Sequence, residues 1–145
     1  MIYSRTNDAD LQPTLVLSFN LTCFLYNILY NLMMITSKPI EFRGSSLDDL
    51  RDFPLSIRRE AGHQLDHVQN GLEPDDWKPM TSIGQGVREI RLRDITGAFR
   101  VIYIAKFSDA VFVLHCFQKK TEKTSKSDLD LAESRYRELV QELGK

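Results

Sequence analysis

The sequence predicts an α+β domain: a small antiparallel meander sheet packed by two N-terminal helices and one C-terminal helix. Three observations carry this. Between Val87 and Phe117 three strand-like segments follow one another, joined only by short turns, which is the signature of an antiparallel meander. Helical spacing is confined to Ser45–Asn70 before them and Ser127–Leu143 after them, which argues against strand–helix alternation and a parallel winding. The chain has 145 residues, 42% hydrophobic and 27% charged, with a net charge of −1. That is enough apolar residue for one folded domain and too little net charge for a disordered chain.

Each element has a local reason. In Lys38–Phe42, Ile40 and Phe42 alternate with polar neighbours, as in a short strand, and Gly44 ends it. Ser45 or Ser46 can cap a helix whose first turn carries Asp48 and Asp49, complementing the helix dipole. Pro54 stops that helix and suits the start of the next, in which Ile57, Ala61, Leu65 and Val68 recur at helical spacing. Asn70-Gly71 is a stop signal. Leu72–Gly86 reads as loop, broken by Pro74, Pro79, Gly84 and Gly86. Val87–Arg93 alternates with period two, Asp94–Gly97 turns, Phe99–Ala105 is β-branched and aromatic, Lys106–Asp109 turns again, and Ala110–Phe117 is a third strand. Gln118–Lys126 is polar and basic; Ser127 is expected to cap the last helix and Gly144 to end it.

The first 35 residues differ from the rest and are expected to form an extension to a domain at 36–145. Leu15–Ile35 is 21 residues without a charge, close to the ~20 apolar residues of a membrane span. Ser18, Asn20, Thr22, Asn27 and Asn31 interrupt it, and polar groups are costly in lipid. The leader carries Arg5 against Asp8 and Asp10, with no small-residue cleavage pattern behind it, unlike a secretory signal. Met33 and Met34 stand just before the patterned region, which fits a start lying further downstream. A dispensable extension is expected; a membrane anchor and a packed accessory helix stay open.

Charge is unevenly spread. Residues 38–87 hold 6 Lys/Arg and 9 Asp/Glu, residues 88–126 hold 9 and 4, and residues 127–145 hold 3 and 5. A basic block of this kind attracts phosphate, although a solvated strand face accounts for charge alone equally well. Within it, Arg91 and Arg93 share one face of the first meander strand with Glu89, opposite Ile90 and Leu92. Arg100 lies on the next strand, and Lys119 and Lys120 end the third. Cations from three adjacent strands can therefore meet on one surface, which suits RNA phosphates and the charge of a pentavalent phosphorane. Arg88 and Lys123 extend the candidate RNA-binding set. His115 is a candidate general acid or base, histidine being the residue type suited to proton exchange near neutral pH; a hydrogen-bonded sheet histidine is the structural alternative. His63 and His67 are spaced i, i+4 but have no metalloprotease glutamate and no evident third ligand, so a polar helix face is expected and no metal. Tyr103 and Tyr136 read as packing residues. Cys23 and Cys116 stand far apart with no CxxC pair, in keeping with a reducing, cytoplasmic home.

The run Val87–Thr124, VREIRLRDITGAFRVIYIAKFSDAVFVLHCFQKKTEKT, resembles the RelE/ParE toxin superfamily, most closely its HigB-like, phage-derived branch of type II toxin–antitoxin systems. The I-R-L-R…F-R-V-I-Y strand pair and the V-L-H-C-F-Q-K-K-T-E-K-T ending carry the match. The resemblance spans about residues 36–143. It implies a RelE-like fold and a cytoplasmic endoribonuclease that enters the ribosomal A site and cuts mRNA there, the 2′-hydroxyl attacking the adjacent phosphate without metal or other cofactor. It implies Arg91 as the group orienting or activating the 2′-hydroxyl, Arg100 on the scissile phosphate, and Lys119 on the transition state or leaving oxygen. It also implies a helix-turn-helix, HigA-like antitoxin as partner, with no stable membrane association. Two departures stand out: Glu89 occupies a position where some members carry Lys, and a polar run, Glu122–Ser127, replaces a tyrosine that others place after the basic ending. A ParE-like gyrase inhibitor and a non-catalytic phage-derived binding domain are the alternatives.

Overall fold

The computed structural model describes residues 12–145, and the side chains of residues 21–33 and 37–145. The acidic leader around Arg5, Asp8 and Asp10 lies outside the described residues. The chain divides into two units at Thr36/Ser37.

Among the described residues the first unit contains one helix, α1 (Gln12–Thr36). Its uncharged sequence leaves large apolar side chains in solvent, among them Phe24, Tyr26, Leu29 and Met33. Tyr26 and Tyr30, one turn apart, stack at 6.3 Å, and Asn31 Nδ2 donates to the Asn27 carbonyl. Among the described residues no helix is long and apolar enough to cross a membrane.

The second unit runs β1 (Ile40–Phe42), α2 (Ser46–Arg51), α3 (Leu55–Gln69), β2 (Trp77–Pro79), β3 (Val87–Asp94), β4 (Gly97–Ile104), β5 (Val111–Lys119) and α4 (Lys126–Glu142). The five strands form one sheet in the order β1-β5-β4-β3-β2. The expected meander, β3–β4–β5, is its centre, and every pairing is antiparallel except β1 with β5. The sheet is therefore mixed. β1 can join in parallel because the connection from it to β5 is long, running through α2, α3 and the three strands between them, well beyond the dozen or so residues a parallel pair requires. The segment expected to be loop, 72–86, contains β2. Three residues suffice for this edge strand, and its Pro79, which cannot donate to a ladder, is tolerated there. Ser125, two residues before the expected Ser127, caps α4: its Oγ accepts from the Asp128 N–H at 3.2 Å.

Helices cover both faces of the sheet. On one face Leu50, Phe53, Ile57, Ala61, Leu65 and Val68 of the α2–α3 region pack on Ile90, Leu92, Phe99 and Val101. On the other, Ala132 and Leu139 of α4 pack with Val87, Ile102, Ile104, Phe112 and Leu114. A two-sided sheet explains why β4 and β5 are nearly continuous apolar runs rather than alternating ones. Ile90→Ala, at a side chain with no exposure, is expected to cost roughly 2–5 kcal/mol through lost burial and an unfilled cavity; urea denaturation of the variant measures it.

The β4–β5 register contains one irregularity. Ile102 pairs with His115 but Tyr103 pairs with Val113, so Leu114 is an extra residue, a β-bulge. Before the bulge, Val111 and Val113 belong to the α2–α3 side and Phe112 and Leu114 to the α4 side. After it the parity is reversed: Cys116 is on the α2–α3 side and Phe117 on the α4 side.

Candidate active site

The register lays out the α4 face in rows. Lys78, Glu89, Ile102 and His115 stand opposite one another across β2–β3–β4–β5. The next row is Arg91, Arg100 and Phe117, and the next Arg93, Ala98 and Lys119. At a strand spacing of about 4.8 Å, Arg93 and Lys119 stand about 10 Å apart at the backbone, with only the small Ala98 between them. The residues that α4 buries lie toward the other end of the strands, so four cations gather on the α4 side: Arg91, Arg93, Arg100 and Lys119.

Each is held differently. Arg91 is exposed but directed: its Nε donates to Asp76 Oδ1 at 2.8 Å, and Nη2 lies 2.6 Å from the same oxygen. Asp76 is placed by the segment before β2. The buried Gln64 of α3 donates to Asp75 Oδ2 and accepts from the Asp75 N–H, and the Arg91 N–H donates to the Asp76 carbonyl. Arg100 is only 6% exposed. Its Nη1 donates to the Phe99 carbonyl at 2.9 Å, and its Nε lies 3.2 Å from Glu89 Oε1. Burial lowers its pKa from the ordinary arginine value, Glu89 opposes this, and Arg91 and Arg93 add to it. Arg100 lines a cleft of about 330 Å³ with Asp76, Arg91 and Arg93.

A larger cleft, about 670 Å³, wraps around the β5 edge between α2 and the start of α4. β1 pairs only with Val111–Val113 and so leaves the later residues of β5 uncovered on that edge. His115, Lys119, Lys120, Lys123 and Asp128 line the cleft, with Asp49 and Asp52 opposite. His115 is buried and its Nε2 lies 2.8 Å from Asp128 Oδ1. A carboxylate only accepts, so Nε2 carries the hydrogen and donates, leaving Nδ1 as the acceptor of the neutral ring. Nδ1 has no partner. Asp128 is itself fixed by Ser125, whose Oγ donates to Oδ2 at 2.5 Å. The His115 ring stacks on Phe117 at 5.1 Å.

The other candidates fall elsewhere. Arg88 is on the α2–α3 face, its guanidinium 4.1 Å over the Trp77 ring and 3.4 Å from Glu73, across the strand from Tyr103. It does not join Arg91 and Arg93. His63 and His67 contact each other edge-on at 4.3 Å on α3, and among the described residues no group of three or more His, Cys, Asp or Glu could hold a metal. Cys116 is buried, which pushes its thiol far up and removes it as a nucleophile at neutral pH. Sequence spacing missed Asp76 and Asp128, because each is far in sequence from the residue it holds. It also misread Glu89, which period two places on the open basic face but which is 1% exposed. Its only sequence signal was an acid set among arginines.

A mixed five-strand sheet with helices on both faces and a basic, partly uncovered end is the RelE fold. The Escherichia coli toxin RelE, solved in the free state as a double arginine-to-alanine mutant, superposes with a TM-score of 0.51 at 13% identity, over 71% of this chain and 98% of that one. Residues 48–137 match the family described as Phage derived protein Gp49-like (DUF891), and the chain belongs to that family, a family of RelE/HigB-like toxins. The expected RelE superfamily membership is met. No curated protein matches the chain.

Proposed function

We propose that this protein is the toxin of a type II toxin–antitoxin pair and cleaves mRNA on the ribosome by metal-free attack of a 2′-hydroxyl. The observation that supports this best is the gathering of Arg91, Arg93, Arg100 and Lys119 on one sheet face, next to the His115–Asp128 pair. RNA cleavage by its own 2′-hydroxyl needs a proton taken from that hydroxyl, charge neutralised on the phosphorane, and a proton or cation supplied to the leaving 5′-oxygen. Arg91, aimed by Asp76, orients the hydroxyl. Arg100 holds the phosphate. Lys119 stabilises the transition state and the leaving oxygen, and His115, which lines the larger cleft with Nε2 committed to Asp128, exchanges a proton through Nδ1 once bound RNA uncovers that buried atom. Lys120 and Lys123 at the rim, with Arg93, bind flanking phosphates. Fixed cations of this kind act where charge develops, without reorganising during the reaction.

The test is incubation of the purified protein with translating ribosomes. Cleaved mRNA with a 2′,3′-cyclic phosphate on one fragment and a 5′-hydroxyl on the other is the expected result. Intact mRNA together with inhibited gyrase supercoiling would replace this reading with the ParE-like one. A helix-turn-helix, HigA-like antitoxin is the proposed partner. Its association rate is expected to fall steeply with salt, because an acidic partner is steered to the basic face; stopped-flow association at several ionic strengths measures this, and a salt-independent rate would put the interface elsewhere.

A further inference from the structure

We infer that Glu89 is a positioning residue for the proposed cleavage: its buried carboxylate fixes the guanidinium of Arg100 toward the phosphate without itself touching RNA. The inference rests on the cleavage reading above and deepens it.

Glu89 is 1% exposed, in the middle of β3, and neither of its oxygens makes a hydrogen bond. Two cations face it. Arg100 Nε is at 3.2 Å and Lys78 Nζ, from β2, at 3.7 Å. The Arg100 Nε also ends without a hydrogen bond, so the contact is an ion pair lying off the hydrogen-bond direction. Native proteins seldom leave three buried polar atoms together in this state. A buried ion pair lacking hydrogen bonds does not repay its desolvation, and apolar residues of similar volume usually hold a fold at least as well. Stability is therefore a poor reason for Glu89 to be here.

The geometry offers a better one. Arg100 has three nitrogens to place. Nη1 is tied to the Phe99 carbonyl and Nε is held against Glu89. One directional hydrogen bond and one ion pair thus hold two of the three nitrogens and leave Nη2 for a ligand in the cleft shared with Arg91 and Arg93. Without Glu89, Arg91 and Arg93 would repel the Arg100 guanidinium, and burial already disfavours its charge. Glu89 opposes both effects. A general-base role is excluded by position: both oxygens of Glu89 are buried and, unlike His115, it lines neither cleft.

The experiment compares the parent protein, Glu89→Gln, Arg100→Ala and the double variant on translating ribosomes, with ribosome binding and turnover measured separately. Glu89→Gln keeps the shape and removes the charge. Turnover is expected to fall on the order of 10²-fold, the usual scale for a misplaced reacting group. Ribosome binding is expected to hold or tighten, because the face becomes more positive. Glu89→Gln added to Arg100→Ala should cost nothing further. Parent-like turnover in Glu89→Gln, parallel loss of binding and turnover, or a full additional loss in the double variant would overturn the inference. A second measurement needs no variant: the Arg100 Nε–H resonance of the parent is expected to be dispersed and slow to exchange with water. An averaged, rapidly exchanging signal would overturn the inference even if Glu89→Gln failed to fold. A parent protein that leaves mRNA intact would instead overturn the cleavage reading, with the resonance, compared between the parent and Glu89→Gln, still deciding whether Glu89 holds Arg100.

Discussion

Arg100→Ala and Lys119→Ala are each expected to lower mRNA cleavage on the order of 10²–10³-fold, or about 3–4 kcal/mol of transition-state stabilisation. With no metal in the proposed reaction, protein cations alone neutralise the phosphorane, and each residue supplies one from a different strand. The two differ in their effect on the fold. Lys119 ends β5 half-exposed, so its loss should leave the melting curve in place. Arg100 is buried against Glu89, and its removal leaves that buried carboxylate with only Lys78 Nζ at 3.7 Å, which is destabilising as when a buried pair is broken. Arg100→Ala should therefore melt earlier, and its activity is read well below its own transition. Arg100→Lys should recover little, since an ammonium cannot bond the Phe99 carbonyl, face Glu89 and meet a phosphate from one plane. Full cleavage by Arg100→Ala would refute the mechanism.

His115→Gln is the second large effect expected, a loss of roughly 10²–10⁴-fold, the range for a positioned acid or base. Asp128→Asn is expected to cost less, because it leaves the ring in place but removes the group that commits Nε2 to donating. If His115 only fills the sheet, the same variants will instead shift the melting temperature and leave turnover per folded molecule unchanged. Single-turnover cleavage beside thermal denaturation separates the two outcomes.

Much of the fold was legible before any coordinates. The helices at Ser46–Arg51 and Leu55–Gln69, the three central strands with both turns, and the last helix are local features, set by stop signals and side-chain period; of the three helices only the last has a side-chain cap, and the expected cap at Ser45 or Ser46 does not form. The basic face was legible for the same reason: Arg91, Arg93 and Arg100 stand opposite or next to one another as soon as β3 and β4 are joined by a short turn. Non-local features were not legible. β1 pairs with β5 across a connection that holds two helices and three strands, and β2 is three residues stabilised by β3 rather than by its own propensity.

The placement of Lys119 and His115 beside the candidate site shows where the division falls. Strict alternation along β5 puts both on the face of Val111 and Val113, under α2 and α3. Leu114 is the extra residue that turns them over, bringing them to the face of Arg91 and Arg100. No pattern in Val111–Lys119 announces that bulge; it is a compromise in pairing with β4. Burial is the other tertiary decision. Period two gave Glu89 the same face as Arg91, but only the closure of β2 and β4 around it turned a surface acid into the buried counter-charge of Arg100. The sequence by itself determined which residue types the basic face would carry and on which strands. Tertiary structure decided which of them meet, which are held, and by what, because side-chain period is local while register, bulges and burial belong to contacts between segments far apart in the chain.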